Sequence, residues 1–339
     1  MILVTGGTGL VGAHLLYELV KQGKIVRALK RPDSDTGKVK KTISWYNRDY
    51  ETIFEKIEWV DGDILDPHSL AEALDGVDQV YHCSGLVSFR KSDYKQLILT
   101  NQVGTANIVN ACLQKDNVRL CHVSSVSALG RTKQGETVTE SSYWKTSRNN
   151  SAYALSKYGA EREVWRAAEE GLEMFIVNPS VIIGPGDWKK GSSQIFNTVY
   201  RGIPFYTSGI MGYVDVRDVA SIMVQLMESK ISGERFILSS EDISNHQLFT
   251  MIAMALGKKP PAIQLLPWMA AVAWRVNLFF PLFGKQPTFT KEIARSAFNR
   301  YFFDSSKISK LLNYNFIPVK KSISDTANIF QKEIKKIQS

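Results

Sequence analysis

The sequence predicts an α/β protein, a doubly wound parallel sheet with a smaller C-terminal mixed α/β lobe. Three observations carry that expectation. Short apolar runs alternate with helix-period segments through the first half, a glycine-rich turn follows the first run, and the alternation fails from about Gly184 onward. Strands covered by helices on both faces read as continuous apolar runs, and right-handed crossovers place consecutive strands in one parallel sheet.

The expected strands are 2–4, 25–29, 57–60, 79–82, 120–123 and 174–177, with helices around 10–21, 69–74, 94–114 and 152–170. Residues 33–56 interrupt the rhythm with a charged, aromatic insertion, read as a loop with a short helix and given no chemistry. The nucleotide-binding unit is placed at 1–183 and the substrate lobe mainly at 184–339. The chain is expected to revisit the main sheet near 213–220 and 235–240. One segment, 265–284, is dense in aromatic and aliphatic residues. Pro267, Arg275, Asn277 and Pro281 make it a costly membrane span, which leaves a substrate lid, a packed core helix or a helix lying on a membrane surface.

At 339 residues the chain suits one large unit plus an appended lobe, and 44% hydrophobic residues is ordinary for a globular core. Three cysteines without a CxxC pair argue against a disulfide framework or a zinc site, and no metal is expected. A reducing cytoplasm fits them, and the N-terminus shows no secretory signal. The net charge of +9 comes from Lys and Arg spread along the chain, so nucleic acid is not an expected partner.

After the first strand comes Thr5-Gly6-Gly7-Thr8-Gly9-Leu10-Val11-Gly12, followed at once by an amphipathic helix. A glycine-rich turn lets backbone approach a pyrophosphate, whose charge then meets the free N–H groups of the helix N-terminus. Gly6 and Gly9 serve the turn and the close approach, Gly12 lets the helix pack, and Thr8, Leu10 and Val11 complete the cradle. At the end of the second strand stand Lys30 and Arg31, with no carboxylate at the strand tip. Basic residues there accept a ribose 2′-phosphate, which favours NADP over NAD; the alternatives are a solvent-facing basic turn and interference from Asp33. Asp63 and Ile64 after the third strand are placed at the adenine edge, although Asp63 could equally cap a helix. Gly85 and Leu86 after the fourth strand are placed beneath the ribose and pyrophosphate, and Ser84 joins the cofactor-binding set.

Tyr153 and Lys157 are four apart at the start of a predicted helix, hence on one face. The ammonium of Lys157 is expected to lower the Tyr153 pKa and ready the phenol for proton transfer. Ser125 lies at the carboxyl end of the fifth strand, where ligands bind in this architecture, and can donate to a substrate carbonyl oxygen. Cys83 is read as a small packed hydrophobe, and His82, His122 and His246 as structural.

In combination, TGGTGLVG, SSVSALG, YALSK, NPSVIIGPG, TNQVGTANIV and YVDVRDVA resemble the extended short-chain dehydrogenase/reductase family, the NAD-dependent epimerase/dehydratase superfamily, over most of residues 1–240. The resemblance implies a Rossmann-type fold, NAD(P), a Ser125/Tyr153/Lys157 triad and hydride transfer. It also implies that Lys157 holds the nicotinamide ribose and that Asn101 supports the active site; Pro179 and Val181 of NPSVIIGPG join the cofactor-binding set. VRALKRP, HCSGLVSF and the C-terminal NRYFFDSSKISKLL stretch are most similar to the dihydroflavonol-4-reductase and 3β-hydroxysteroid dehydrogenase branch. The expected function is therefore NAD(P)H-dependent reduction of a carbonyl, or oxidation of the alcohol, on a small apolar substrate. Epimerisation or dehydration of a nucleotide sugar, and a non-catalytic NADP-binding sensor or scaffold, are the alternatives. A peripheral membrane contact through 265–284 and a homodimer complete the expected partners.

Overall fold

A computed structural model of the protein describes residues 1–130, 135–147, 150–277, 294 and 296–338. Its strands are β1 (Ile2–Thr5), β2 (Val26–Lys30), β3 (Ile57–Asp61), β4 (Gln79–His82), β5 (Arg119–Val123), β6 (Thr137–Val138), β7 (Glu173–Pro179), β8 (Val181–Ile183), β9 (Phe205–Tyr206), β10 (Ile210–Asp215), β11 (Glu234–Leu238), β12 (Glu241–Ser244), β13 (Ile263–Gln264) and β14 (Phe302–Phe303). Seven of these make one parallel sheet in the order β11-β7-β5-β4-β1-β2-β3. The order reverses between β1 and β4, and the crevice at the carboxyl ends of those strands is where such sheets bind ligands.

The helices are α1 (Leu10–Lys21), α2 (Gly37–Ser44), α3 (Tyr50–Glu55), α4 (Pro67–Ala73), α5 (Tyr94–Leu97), α6 (Gly104–Leu113), α7 (Ala152–Glu169), α8 (Gln194–Tyr200), α9 (Val216–Glu228), α10 (Asn245–Ala255), α11 (Pro267–Asn277), α12 (Ser306–Leu312) and α13 (Val319–Gln338). Side chains alternate across each strand, so successive residues feed opposite cores. Val4, Phe175 and Val177 pack with Leu16 of α1 and Met223 of α9, whereas Leu3, Met174 and Ile176 pack with Ile108 of α6 and Val164 of α7. A third core joins Ile183, Phe196, Tyr213, Leu248 and Ile252 to Ile323 and Phe330 of α13.

Three expectations need correction. The insertion 33–56 contains two helices, α2 and α3, because Val39 and Ile43 of α2 have apolar partners in the core beside α1. The expected helix at 94–114 is interrupted by a π-helical stretch at Ile98–Val103. The chain does not re-enter the main sheet at Tyr213; β10 pairs with β8 and β12 in a separate three-stranded sheet, and only α9 returns, packing on α1. β11 does join the main sheet, beside β7.

Of the apolar segment 265–284, residues 278–284 lie outside the described residues. Its first part forms α11, and among the described residues no helix is long and apolar enough to cross a membrane.

Candidate active site

The glycine turn closes on itself through Gly9 N–H donating to the Gly6 carbonyl at 2.9 Å, and helix α1 begins with Ala13 N–H donating to Gly9 at 2.9 Å. Gly6 has φ +68°, and a Cβ there would stand 2.6 Å from the Ser84 nitrogen. A Cβ on Gly12 would stand 2.3 Å from the Gly6 oxygen. Both positions therefore exclude any side chain. No side chain caps α1, so its first N–H groups have no partner within the helix and face the turn. Thr8, Leu10 and Val11 are half-buried around this opening, and Leu10 also meets the segment through Gly186. A backbone cradle too tight for a Cβ at the end of an uncapped helix is what a dinucleotide pyrophosphate requires.

At the tips of β2 and β3, Lys30 is ion-paired with Asp61 across the strands. Arg31 is well exposed, its guanidinium 3.9 Å from Asp33, and it is the basic side chain free to turn toward a ribose phosphate. Asp63 does not cap a helix: its carboxylate accepts from Leu65 N–H at 2.9 Å, and Asp66 caps α4 by accepting from His68 N–H. Ile64 is buried against Gly104, where a Cβ would stand 2.5 Å from its side chain.

Helix α7 starts at the Ser151 cap and carries Tyr153 and Lys157 into the crevice, both almost fully buried. The Ser125 side chain lies beside the Tyr153 phenol, favouring its ionised form, and accepts from Ser127 N–H at 3.1 Å. Lys157 Nζ donates to the Val123 carbonyl at 2.8 Å. Burial outweighs every other influence on these groups: it pushes the Tyr153 phenol up, against a smaller downward effect of Ser125, and brings the Lys157 ammonium down to about 8. The expectation that Lys157 lowers the Tyr153 pKa is thus not met. The ammonium is spent on a backbone carbonyl, and a buried phenol keeps its proton at neutral pH.

Asn101 sits in the π-helical stretch, where its amide donates to the Leu86 carbonyl at 3.0 Å and to Ser156 Oγ at 2.8 Å, while its Oδ1 accepts from Leu86 N–H at 2.7 Å. It thereby pins the strand-end segment containing Ser84 and Gly85, and a Cβ on Gly85 would come within 3.2 Å of Lys157 Nζ. Pro179 ends β7 and is buried; Val181 begins β8 and is half-buried.

Sequence reasoning missed three groups of residues. The first is a hydrogen-bonded chain beneath the site. Thr105 Oγ1 donates its proton to the Asn101 carbonyl, so it must accept from His82 Nε2 at 2.9 Å; His82 Nδ1 then accepts from Thr5 Oγ1 at 2.7 Å, which accepts from Ser84 N–H at 3.3 Å. His82 is held as the neutral Nε2–H tautomer, its pKa lowered to about 3 by burial. The second is a buried buttress in which Asn178 donates to the Ser125 carbonyl at 3.0 Å and to Glu161, and Glu161 pairs with Arg235 at 3.2 Å. Glu161 lies one turn beyond Lys157 and favours its charged form, a spacing that was visible in the sequence. The third is an apolar wall. Phe89 packs edge-on to Tyr153 with ring centroids 5.8 Å apart, and Leu86 and Leu97 pack against Tyr153.

A cavity of about 220 Å³ beyond β7 is lined by Val181, Ile183, Ile195, Phe196, Tyr213 and Leu248. A wider cavity of about 720 Å³, lined by Trp144, Tyr158, Arg162 and Arg235, touches none of Ser125, Tyr153 or Lys157. The lining of the smaller one includes none of those three residues either.

A nucleotide-cradling turn, a Ser/Tyr/Lys cluster at the strand ends and a switch-point crevice define a dinucleotide-dependent oxidoreductase of Rossmann-type fold. A family model described as the NAD dependent epimerase/dehydratase family matches residues 2–238. The "Putative dihydroflavonol 4-reductase" of Synechocystis sp. is 31% identical over 336 residues, covering 97% of this chain and 94% of that one. Sterol demethylase protein B of Methylococcus capsulatus is 29% identical over 269 residues, covering 78% of this chain and 77% of that one. The crystal structure of gox2253 superposes with a TM-score of 0.80 at 32% identity, covering 98% of each chain. The chain belongs to the NAD dependent epimerase/dehydratase family, within the extended short-chain dehydrogenases/reductases, and its cofactor is NAD(P).

Proposed function

We propose that the protein is an NADPH-dependent reductase of a small apolar ketone, running as an alcohol dehydrogenase in the reverse direction. The observation that carries this reading is the buried Tyr153 phenol, placed beside Ser125 and walled by Leu86, Leu97 and Phe89. A substrate carbonyl oxygen entering there meets two hydroxyls. Ser125 donates a hydrogen bond to the oxygen, and Tyr153 delivers its proton as negative charge builds on it. Bound NADPH supplies the hydride. Lys157, protonated below about pH 8, would hold the nicotinamide ribose with the ammonium protons not engaged by the Val123 carbonyl. Asn101 keeps the segment at Ser84 and Gly85 against the dinucleotide, and Asn178 with Glu161 holds the Ser125 backbone in place. Arg31 is the residue assigned to the 2′-phosphate. Two named relatives are reductases, the Synechocystis protein and cinnamoyl-CoA reductase 1 of Petunia hybrida, which supports reduction over sugar epimerisation.

The test is a fluorescence titration with NADPH and NADH, followed by absorbance of NADPH during addition of apolar ketones and nucleotide sugars. The expected result is net NADPH oxidation by an apolar ketone that falls at least ~100-fold in Tyr153→Phe while NADPH binding persists. Turnover of a nucleotide sugar without net oxidation would replace this reading with an epimerase.

A further inference from the structure

The structure assigns a second role to the face formed by β9, β13, α10 and α11: we propose that it docks on an anionic lipid bilayer, with α11 lying in the plane of the surface. Among the described residues, fifteen large apolar side chains are exposed, and six of them lie on these four elements or directly before α11: Phe205, Met254, Ile263, Leu266, Trp268 and Val272. Their grouping follows from the fold. Phe205 and Ile263 are register partners in the β9–β13 pair, α10 packs against β9, and Leu265 N–H donates to the Tyr206 carbonyl at 2.7 Å, which sets Leu266 and the start of α11 beside that pair. Trp268 and Val272 are one turn apart on α11, hence on one helix face, 66% and 53% exposed. A monomer that leaves so many large apolar groups together in water has a surface that meets a partner.

Charge selects the partner. The chain has 33 carboxylates in 339 residues, about one in ten, yet none between positions 243 and 291, where Lys258, Lys259, Arg275, Lys285 and Lys291 fall. Of these, Lys258, Lys259 and Arg275 are described and exposed, Lys258 with its ammonium 4.4 Å from the Tyr200 ring centroid and Arg275 4.7 Å from that of Trp274. Tryptophan and aliphatic residues beside cations that have no carboxylate partner among the described residues, on a helix that among the described residues is too short to span, suit the headgroup boundary of an anionic bilayer. A second copy of this chain, itself at net +9, would bring like charge to this face. The face is also joined to the interior: α10 presents Met254 outward and lines the 220 Å³ apolar cavity with Leu248 and Ile252. Docking there would bring that cavity close to a bilayer in which apolar molecules dissolve. The docking itself does not depend on the reductase reading.

The experiment is flotation of the full-length protein with vesicles of pure phosphatidylcholine and of an equal mixture of phosphatidylcholine and phosphatidylglycerol, alongside sedimentation velocity without lipid. Binding to the mixed vesicles is expected to be at least tenfold stronger than to the neutral ones and to weaken in 1 M salt, where charges are screened beyond about 3 Å. Trp268→Glu with Val272→Glu, and separately Lys258→Glu with Lys259→Glu, should each lower vesicle binding at least tenfold while the NADPH titration stays unchanged, which shows that the variants are folded. If one pair fails to fold, the other decides. Absence of binding to either vesicle, or equal binding by wild type and both folded variants, overturns the proposal. So does a lipid-independent dimer that the Trp268 and Val272 substitutions dissociate without any vesicle binding, because the face would then belong to a second copy. NADPH binding and ketone turnover are read separately, so failure of the docking and failure of the reductase reading are distinguishable.

Discussion

At the scale of single residues, the site runs on burial more than on pairwise charge. In the proposed reduction Tyr153 serves as the acid because desolvation keeps its proton, and the Lys157 pKa is brought down to about 8 because the same desolvation opposes its charge. Arg31 is different, since it is exposed and weakly engaged. A charge-assisted hydrogen bond to a 2′-phosphate is worth about 1.5–3 kcal/mol. Arg31→Ala should therefore raise the dissociation constant for NADPH ~10- to 100-fold and leave that for NADH unchanged, as read by fluorescence titration. Lys30→Ala should change NADPH binding much less, because Lys30 is committed to Asp61. His82 offers a spectroscopic check on the chain from Ser84 to Asn101. Long-range proton–nitrogen spectra should give it as the Nε2–H tautomer, without titration, from pH 8 to pH 4.5; an Nδ1–H tautomer, or a midpoint near 6.5, would break the assigned order of donors.

Among the elements, two local arrangements decide how the halves of the molecule meet. The π-helical stretch at Ile98–Val103 turns Asn101 back toward Leu86, and the Thr105 hydroxyl occupies the Asn101 carbonyl that a regular helix would give to a backbone N–H. Helix α2 of the insertion is clamped to α13 through one carboxylate. Glu333 accepts from the indole nitrogens of Trp45 at 2.7 Å and Trp188 at 2.6 Å, and pairs with Lys41 at 2.8 Å. Trp45 belongs to the nucleotide-binding side and Trp188 to the segment after β8, so the clamp ties the turn near Arg31 to the C-terminal lobe. Glu333→Gln leaves acceptors for only part of this set. It should cost about 1–3 kcal/mol, seen as a lower urea midpoint at unchanged slope.

For the whole molecule, buried neutral histidines set the acid limit. Burial lowers His14 to about 4 and His82 to about 3, and it lowers His122 as well. Unfolded histidine titrates near 6.5, so below that pH the unfolded chain binds protons that the folded chain refuses, and stability falls as pH falls. Each ring contributes a slope of about 1.4 kcal/mol per pH unit until its folded pKa is reached. Asp218 acts in the opposite sense: burial raises it to about 6, so its contribution is present below the unfolded value near 3.9 and is lost as pH rises through 6. Three rings outweigh one carboxyl. The urea midpoint should drop steadily from pH 6.5 to pH 4.5, and His14→Gln, which removes one ring, should flatten that slope by about half. A flat profile would mean that these rings are hydrated.

The alternating apolar runs and the glycine turn were legible in the sequence because strand burial and pyrophosphate approach each demand particular residues at fixed local spacing. Tyr153, Lys157 and Ser125 could be named for the same reason, because their spacing within helix or strand fixes which way they face, whereas Asn101 was named through the family resemblance alone. What residues 77 positions apart do for each other was not legible. Thr5 meets His82 only because β1 and β4 are neighbours at the switch point, and Asn178 meets Ser125 and Glu161 only because β7 lies beside β5 under α7. The proton state of Tyr153 was read with the wrong sign, since sequence shows a neighbouring charge but not the burial that overrides it. Sequence by itself determined the sheet and the cradle and pointed to the candidate reactive groups, through local periodicity and backbone sterics. Tertiary structure alone decided their hydrogen-bond partners and ionisation, because both depend on which distant side chains share the same dry interior.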